Sequence, residues 1–179
     1  MKDDILTRRC RALKLVLTDV DGVMTDGKVM LLPGGAEAKS FHVRDGLGLV
    51  LARRAGLKTG LVSGRSSEEV ARRATELGLD VVRQGVTDKV ACLGEVLGAL
   101  GLEAREVAYI GDDFNDLPLL REVGLSAAPA DAPFEVRDAA FMVTERKGGE
   151  GCVREFVEAI LRARGDFEKV LATIGVSLS

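Results

Sequence analysis

Residues 14–22, KLVLTDVDG, place two aspartates one residue apart at the end of a short apolar run. Leu15, Val16 and Leu17 are too few to pattern a helix and suit a buried strand, which puts Asp19 and Asp21 at its carboxyl end. Open α/β sheets keep their active sites at that end. Alternation along an extended chain turns both carboxylates the same way, and side by side they repel unless a positive group joins them. A hard cation would do so. A strand closed by an acidic turn is the plainer reading of the same letters, because Asp21-Gly22 is common turn chemistry. Two later stretches repeat the form: residues 57–62 run into Ser63-Gly64-Arg65-Ser66, and residues 107–110 run into Gly111-Asp112-Asp113-Phe114-Asn115-Asp116. Each cluster alone could be loop composition, but in a doubly wound sheet all three meet at one edge.

The elements that must position these residues follow from periodicity and punctuation. Residues 1–13 read as a leading helix or arm without chemistry. After the strand at 14–19, residues 28–32 and 38–43 form two short strands about Pro33-Gly34-Gly35, a hairpin (about 28–43) projecting beside the acids. A lone hairpin carrying Val29, Leu31, Phe41 and Val43 is not stable in water, so it packs against its own domain or a neighbouring subunit, and an oligomer is expected. Asp45 can cap a helix with Leu47, Val50 and Leu51 on one face, ending at Gly56. Ser67, Glu68 and Glu69 open the next helix, which closes at Gly78, and residues 81–82 are a brief strand. Thr87-Asp88 caps a helix with Lys89 in its first turn and Val90, Leu93, Leu97 and Leu100 at helical spacing. Pro118 permits the start of another helix through Val123. Residues 125–128 and 141–143 read as strands around a short helix at 133–138. A Gly148-Gly149-Glu150-Gly151 loop leads to an amphipathic helix with Val153, Phe156, Val157, Ile160 and Leu161, then a tail (about 164–179). The alternation predicts a doubly wound, Rossmann-like parallel sheet with helices on both faces, in one domain spanning 1–179.

Composition narrows the function classes. A formal charge of -3 gives no general attraction to nucleic acid or to an anionic membrane. Cys10, Cys92 and Cys152 are odd in number and form no CxxC pair, which argues against a disulfide framework or a zinc site. No apolar segment reaches spanning length and MKDDILTRRC lacks the pattern of a signal peptide, so a cytoplasmic protein without membrane partners is expected.

Taken in order, DxDGxxxDG, SGR, a lysine opening a helix, and GDDxND resemble the haloacid dehalogenase superfamily of phosphotransferases over nearly the whole chain. The resemblance implies Asp19 as a nucleophile that forms an aspartyl-phosphate, with Asp21 as general acid and then base. It implies Mg2+ held by Asp19, Asp112 and the backbone carbonyl of Asp21, a set of oxygen ligands that suits the ion. Ser63 and Lys89 would bind the phosphoryl group, with Gly64, Asp113 and Asp116 in support. Asp26 reads as a turn or hairpin-base residue, and His42 as hairpin packing, surface or a substrate contact.

Residues 20–62 hold only the hairpin and one helix, leaving no room for a cap domain. The capless branch of the superfamily, where neighbouring subunits cover the site, is the resulting match. Within it, DVDGVMTDG, FHVRDGLGL, SGR, QGVTDK, AYIGDDFND and GGEGCVREF resemble the 3-deoxy-D-manno-octulosonate 8-phosphate phosphatases over residues 14–160. That family implies a phosphorylated sugar acid as substrate, a role in lipopolysaccharide precursor synthesis, and a homotetramer in which hairpins assemble and tails approach a neighbour's site. Arg65 favours the eight-carbon substrate, since a cation there can pair with the sugar acid's carboxylate; Arg73 and Arg154 are further candidates for that contact. Glu150 in GGEG points instead toward nonulosonate (sialic acid or KDN) 9-phosphate phosphatases. Two readings of other kinds are a noncatalytic regulatory module associated with a cytidylyltransferase and a receiver that keeps phosphate on Asp19. The presence of Asp19, Asp21, Ser63, Lys89 and Asp112 argues for catalysis.

Overall fold

The computed structural model describes residues 2–35 and 37–177. Ala36 in the expected hairpin turn and the last two residues of the tail lie outside them. The chain opens with helix α1 (Lys2–Ala12) and enters strand β1 (Leu15–Thr18), whose four residues are all buried. The hairpin follows, as β2 (Met30–Leu31) and β3 (Glu37–Ala38). Then come α2 (Val43–Arg54), β4 (Lys58–Val62), α3 (Glu68–Leu77), β5 (Val81–Arg83), α4 (Lys89–Leu100) and β6 (Val107–Ile110). The chain continues through α5 (Leu117–Glu122), β7 (Leu125–Ala128), α6 (Phe134–Ala139), β8 (Met142–Val143), α7 (Cys152–Arg164) and α8 (Phe167–Ala172). The local signals act as expected: Ser67 accepts from the Val70 N–H at 3.2 Å, and Asp88 accepts from Val90 and Ala91 at 3.0 and 2.9 Å. No helix among the described residues is long and apolar enough to cross a membrane.

Six strands pair in parallel in the order β5-β4-β1-β6-β7-β8. The chain moves outward from β1 first in one direction and then in the other, so the topological switch lies at β1, between β4 and β6. Thr18 is in register with Leu61 on one side and Ile110 on the other, which brings the three polar clusters to one level. Period-two alternation sends Val16, Leu61, Ala108 and Ile110 to one face, packed with Leu49 and Ala52 of α2 and Phe156 and Ile160 of α7. It sends Leu15, Leu17, Val62, Val107 and Tyr109 to the other, packed with Leu93 and Val96 of α4 and Leu119 of α5.

Three expectations are corrected. The hairpin ladder is two residues on each side, with Met30 opposite Ala38 and Leu31 opposite Glu37, and does not reach Val43. His42 and Val43 belong to the next element: His42 Nδ1 accepts from the Arg44 N–H at 3.1 Å and caps α2. The chain can therefore turn helical three residues earlier than an Asp45 cap would allow, and Asp45 itself is buried inside α2. Leu47 does not share the buried face, being 41% exposed, because Gly46, Gly48, Leu49 and Ala52 face inward. The glycines let α2 approach its neighbours where a larger residue would hold it off.

Candidate active site

The turn after β1 is built on one oxygen. The N–H groups of Val23, Met24 and Thr25 all donate to Val20 O at 3.2, 2.9 and 3.0 Å. The Asp19 N–H donates to Ile110 O at 2.9 Å, holding the first acid against the end of β6. Gly22 sits at φ +89, and a Cβ there would lie 1.9 Å from Asp112 Oδ2. A residue without a side chain is what allows Asp112 to lean over this turn.

Beneath the two acids lies a buried hub. Asp116 is fully buried. Its Oδ1 accepts from Lys89 Nζ and from the Tyr109 hydroxyl, both at 2.6 Å. Its Oδ2 accepts from the N–H groups of Asp112 and Asp113 at 3.0 and 3.1 Å. The Tyr109 hydroxyl also accepts from Lys89 at 3.2 Å, and Lys89 Nζ lies 3.2 Å from Asp19 Oδ1. Burial discourages charge on Lys89, yet Asp19 and Asp116 together outweigh it and raise its pKa. These carboxylates also explain how a cation can open a helix, where the dipole opposes it.

Asp19 and Asp112 are not satisfied in this way. Asp19 Oδ1 and Asp112 Oδ1 are buried and lack a hydrogen bond. Burial raises Asp19 to about 6, opposed by Lys89 and assisted by Asp116. Burial, then the charges of Asp19, Asp116 and Asp113, raise Asp112 to about 8. One oxygen from each of Asp19, Asp112 and Asp116 lies within 4.8 Å of the others. Because both Asp116 oxygens already hold strong donors, two carboxylates remain open. Two oxygen ligands from protein, with the rest from water and substrate, suit a hard divalent cation.

A cavity of about 170 Å³ opens over this floor, lined by Asp19, Asp21, Ser63, Gly64, Arg65, Asp112, Asp113 and Asn115. Ser63 is buried, and its Oγ accepts from the Arg65 N–H at 3.3 Å. Asp113 is turned to its own helical turn, where Oδ1 accepts from the Phe114 N–H at 2.7 Å. Asp21, on the wall of the same cavity, is paired on the hairpin side: its Oδ1 accepts from Lys39 Nζ, and its Oδ2 lies 3.9 Å from Arg65 Nε. Arg65 in turn donates to both oxygens of Glu37 at 2.8 Å. Arg73 and Arg154 lie outside this cavity; Arg73 pairs with Glu76 at 2.8 Å and Arg154 with Glu158 at 2.6 Å. Asp26 pairs with Lys28 at 2.9 Å, as a turn residue would.

Sequence reasoning missed Lys39, Tyr109 and Asn115, while Asp116 has the contacts of the supporting residue it was expected to be. Tyr109 carried a signal, as the one tyrosine of the chain in an otherwise aliphatic strand, where a buried hydroxyl must find a partner. Lys39 carried none, because its partner is 18 residues away.

Comparison with known proteins gives the family of the chain. A family model described as haloacid dehalogenase-like hydrolase matches residues 73–156. The 3-deoxy-D-manno-octulosonate 8-phosphate phosphatase KdsC of Haemophilus influenzae is 39% identical over 160 residues, 89% of each chain. The crystal structure of the 3-deoxy-D-manno-octulosonate 8-phosphate phosphatase of Moraxella catarrhalis, in complex with a magnesium ion, a phosphate ion and KDO, is 38% identical with a TM-score of 0.91, covering 94% of this chain and 97% of that one. The cobalt-bound form of the Haemophilus influenzae enzyme is 39% identical with a TM-score of 0.86, covering 89% and 94%.

Proposed function

The chain belongs to the 3-deoxy-D-manno-octulosonate 8-phosphate phosphatases of the haloacid dehalogenase-like hydrolases, and from that membership we propose how its own residues hydrolyse this phosphomonoester to the free sugar acid and phosphate. The observation that carries the reading is the pair of buried carboxylate oxygens on Asp19 and Asp112 that hold no hydrogen bond, the first with Lys89 as its ion-pair partner, on the floor of a cavity that Ser63 also lines. Mg2+ held by those carboxylates and the Asp21 backbone carbonyl would neutralise phosphoryl oxygens and relieve the repulsion between an anionic substrate and an anionic nucleophile.

Asp19 attacks phosphorus, and the bond to the sugar oxygen breaks as the aspartyl-phosphate forms. Asp21 gives its proton to the leaving oxygen; the anion so formed is the state that Lys39 pairs with. In the second half, Asp21 takes a proton from water, which attacks phosphorus and releases Asp19. Ser63 Oγ donates to a phosphoryl oxygen. Lys89 fixes Asp19 and adds positive charge where the transferring group carries negative charge. Asp116 and Tyr109 hold Lys89 in place and touch no substrate, and Asp113 and Gly64 shape the cavity rim.

A cavity of about 170 Å³ accepts a phosphoryl group but not an eight-carbon sugar, since sites that enclose whole small molecules run to roughly 300–1,000 Å³. The sugar therefore lies beyond the rim, beside Arg65, whose guanidinium can leave Glu37 for the substrate carboxylate. Val29, Met30, Leu31 and Leu32 on the adjacent hairpin are 42 to 74% exposed, an apolar surface that suits a cover of neighbouring subunits in a homotetramer. Arg73, Arg154 and the tail would meet substrate only across such an interface. A cytoplasmic place in lipopolysaccharide precursor synthesis follows from the substrate.

The test is Mg2+-dependent phosphate release from 3-deoxy-D-manno-octulosonate 8-phosphate and from a nonulosonate 9-phosphate, with Asp19→Asn as the blank. Preference for the eight-carbon ester is expected, because Arg65 lines the cavity and Glu150 does not. Preference for the nine-carbon ester would overturn the substrate, and no release from either by the folded, metal-bound protein would favour the regulatory reading.

A further inference from the structure

FHVRDGLGL and GGEGCVREF take no part in the chemistry above, and the fold brings them together. The residue before helix α7, Gly151, stands at its N-cap and has no side chain to cap it. The acceptor comes from α2, where Asp45 Oδ1 accepts from the Arg154 N–H at 2.8 Å. Gly48 lets the two helices close to this separation, since a Cβ there would stand 3.0 Å from Arg154 Cα. Asp45 is 1% exposed. Burial raises its pKa against the opposing influence of the Arg154 N–H, His42 and the N–H groups of Gly151 and Val153.

The loop just before that cap rests on the turn that carries the acids. A Cβ on Gly148 would stand 1.8 Å from Gly22 O. The Gly149 N–H donates to Val23 O at 2.9 Å, and Cys152 Sγ donates to the same oxygen at 3.3 Å. Gly22 also lies beneath the Asp112 carboxylate. One residue is thus pressed between the 148–151 loop and Asp112, and a shift of the loop passes directly to the acids.

We propose that Asp45 is a positioning residue of the active site: by capping α7 from α2 it clamps the 148–151 loop onto Gly22 and so sets Asp112 against the Asp19 turn. The inference rests on the reading of Asp19 and Asp112 given under the proposed function. The loop has a second anchorage, because Asp131 accepts from the Gly148 N–H at 3.0 Å and Glu155 from Glu145 and Arg146 at 2.8 and 3.0 Å. A variant lacking the Asp45 acceptor should therefore still fold.

The experiment compares Asp45→Ala, which removes the acceptor, with Asp45→Asn, which keeps it, and with Leu161→Ala, which loosens the buried side of α7 away from the loop. Amide exchange on the metal-free proteins is read first. Faster exchange at Gly149 and across residues 20–25 is expected in Asp45→Ala but not in Asp45→Asn or Leu161→Ala. In steady state, Asp45→Ala should lose about 10- to 100-fold in kcat with KM moved by less than about 3-fold, as for other residues that orient metal ligands. Asp45→Asn should stay within about 3-fold of the parent in kcat. Unchanged exchange at Gly149 and residues 20–25 in Asp45→Ala, or the same acceleration in Leu161→Ala, would overturn the clamp. Because exchange needs neither substrate nor metal, it decides the clamp even if the parent protein releases no phosphate, an outcome that would count against the functional reading alone.

Discussion

The floor of the active site and the hairpin beside it are built on opposite terms. In the floor, Asp116 is fully buried and takes four donors, and the strand that leads to its turn, β6, is held in register with β1. In the hairpin, two residues pair on each side, and Met30 and Leu31 are 61 and 74% exposed. The first region can hold charge at fixed positions, which phosphoryl transfer needs, because low dielectric and fixed dipoles strengthen each contact. The second has too little core to fix itself and presents apolar surface outward. Between them stand Asp21 and Arg65, on the floor by sequence but paired with Lys39 and Glu37 of the hairpin side.

Changing one region at a time separates the two. Lys89→Ala should have the largest effect, leaving Asp19 and Asp116 without their shared cation. Turnover should fall by on the order of 100- to 1,000-fold, and urea unfolding at neutral pH should show a loss of about 3–5 kcal/mol, the usual result of stranding a buried charge. An unchanged urea midpoint would mean that the floor is not one ionic unit. Tyr109→Phe removes one donor from Asp116 while keeping the ring, so stability should drop by about 1–3 kcal/mol. If the same method shows no loss, water replaces the hydroxyl and the hub is wetter than its burial implies.

Asp19 and Asp112 predict how metal and pH interact. Asp19 at about 6 and Asp112 at about 8 lie above their ordinary value, so the folded state binds these protons more tightly than the unfolded chain. Their contribution to stability is then full below about pH 4 and is lost as pH rises toward 8. A cation between the carboxylates offsets that loss and meets less competition from protons at high pH. Mg2+ should accordingly raise Tm more at pH 8 than at pH 6. Thermal melts with and without Mg2+ check this, and an equal or smaller shift at pH 8 would contradict it. Leu31→Ser should have the smallest effect on the single chain, within about 0.5 kcal/mol of the parent, and its consequence should be seen in assembly. Sedimentation should show a shift to smaller species, whereas an unchanged profile would leave the hairpin without an interface role.

Much of the site could be read along the chain because it depends on short-range rules. An apolar run ending in Asp19 marks a strand end, Ser67 and Asp88 are caps whose N–H donors lie within three residues, and three such strand ends imply a common edge once the sheet is parallel. The hairpin was overextended because Phe41, His42 and Val43 are as compatible with a strand as with the approach to a helix. His42 capping Arg44 decided between them. Asp45 was misread as a local cap because nothing nearby reveals that it serves a helix 109 residues later.

The sequence by itself determined the elements, their alternation and the cluster of acids, Ser63 and Lys89, since propensity, periodicity and capping act over a few residues. The tertiary structure decided which acid stays free and which is consumed. Asp112, Asp113 and Asp116 are interchangeable as letters, but Tyr109 and Lys89 close on Asp116 from two different elements while Asp112 is left over Gly22. It also decided that Asp21 faces Lys39 and that Asp45 reaches α7. A buried carboxylate is defined by the donors around it, and those donors come together only when distant segments pack.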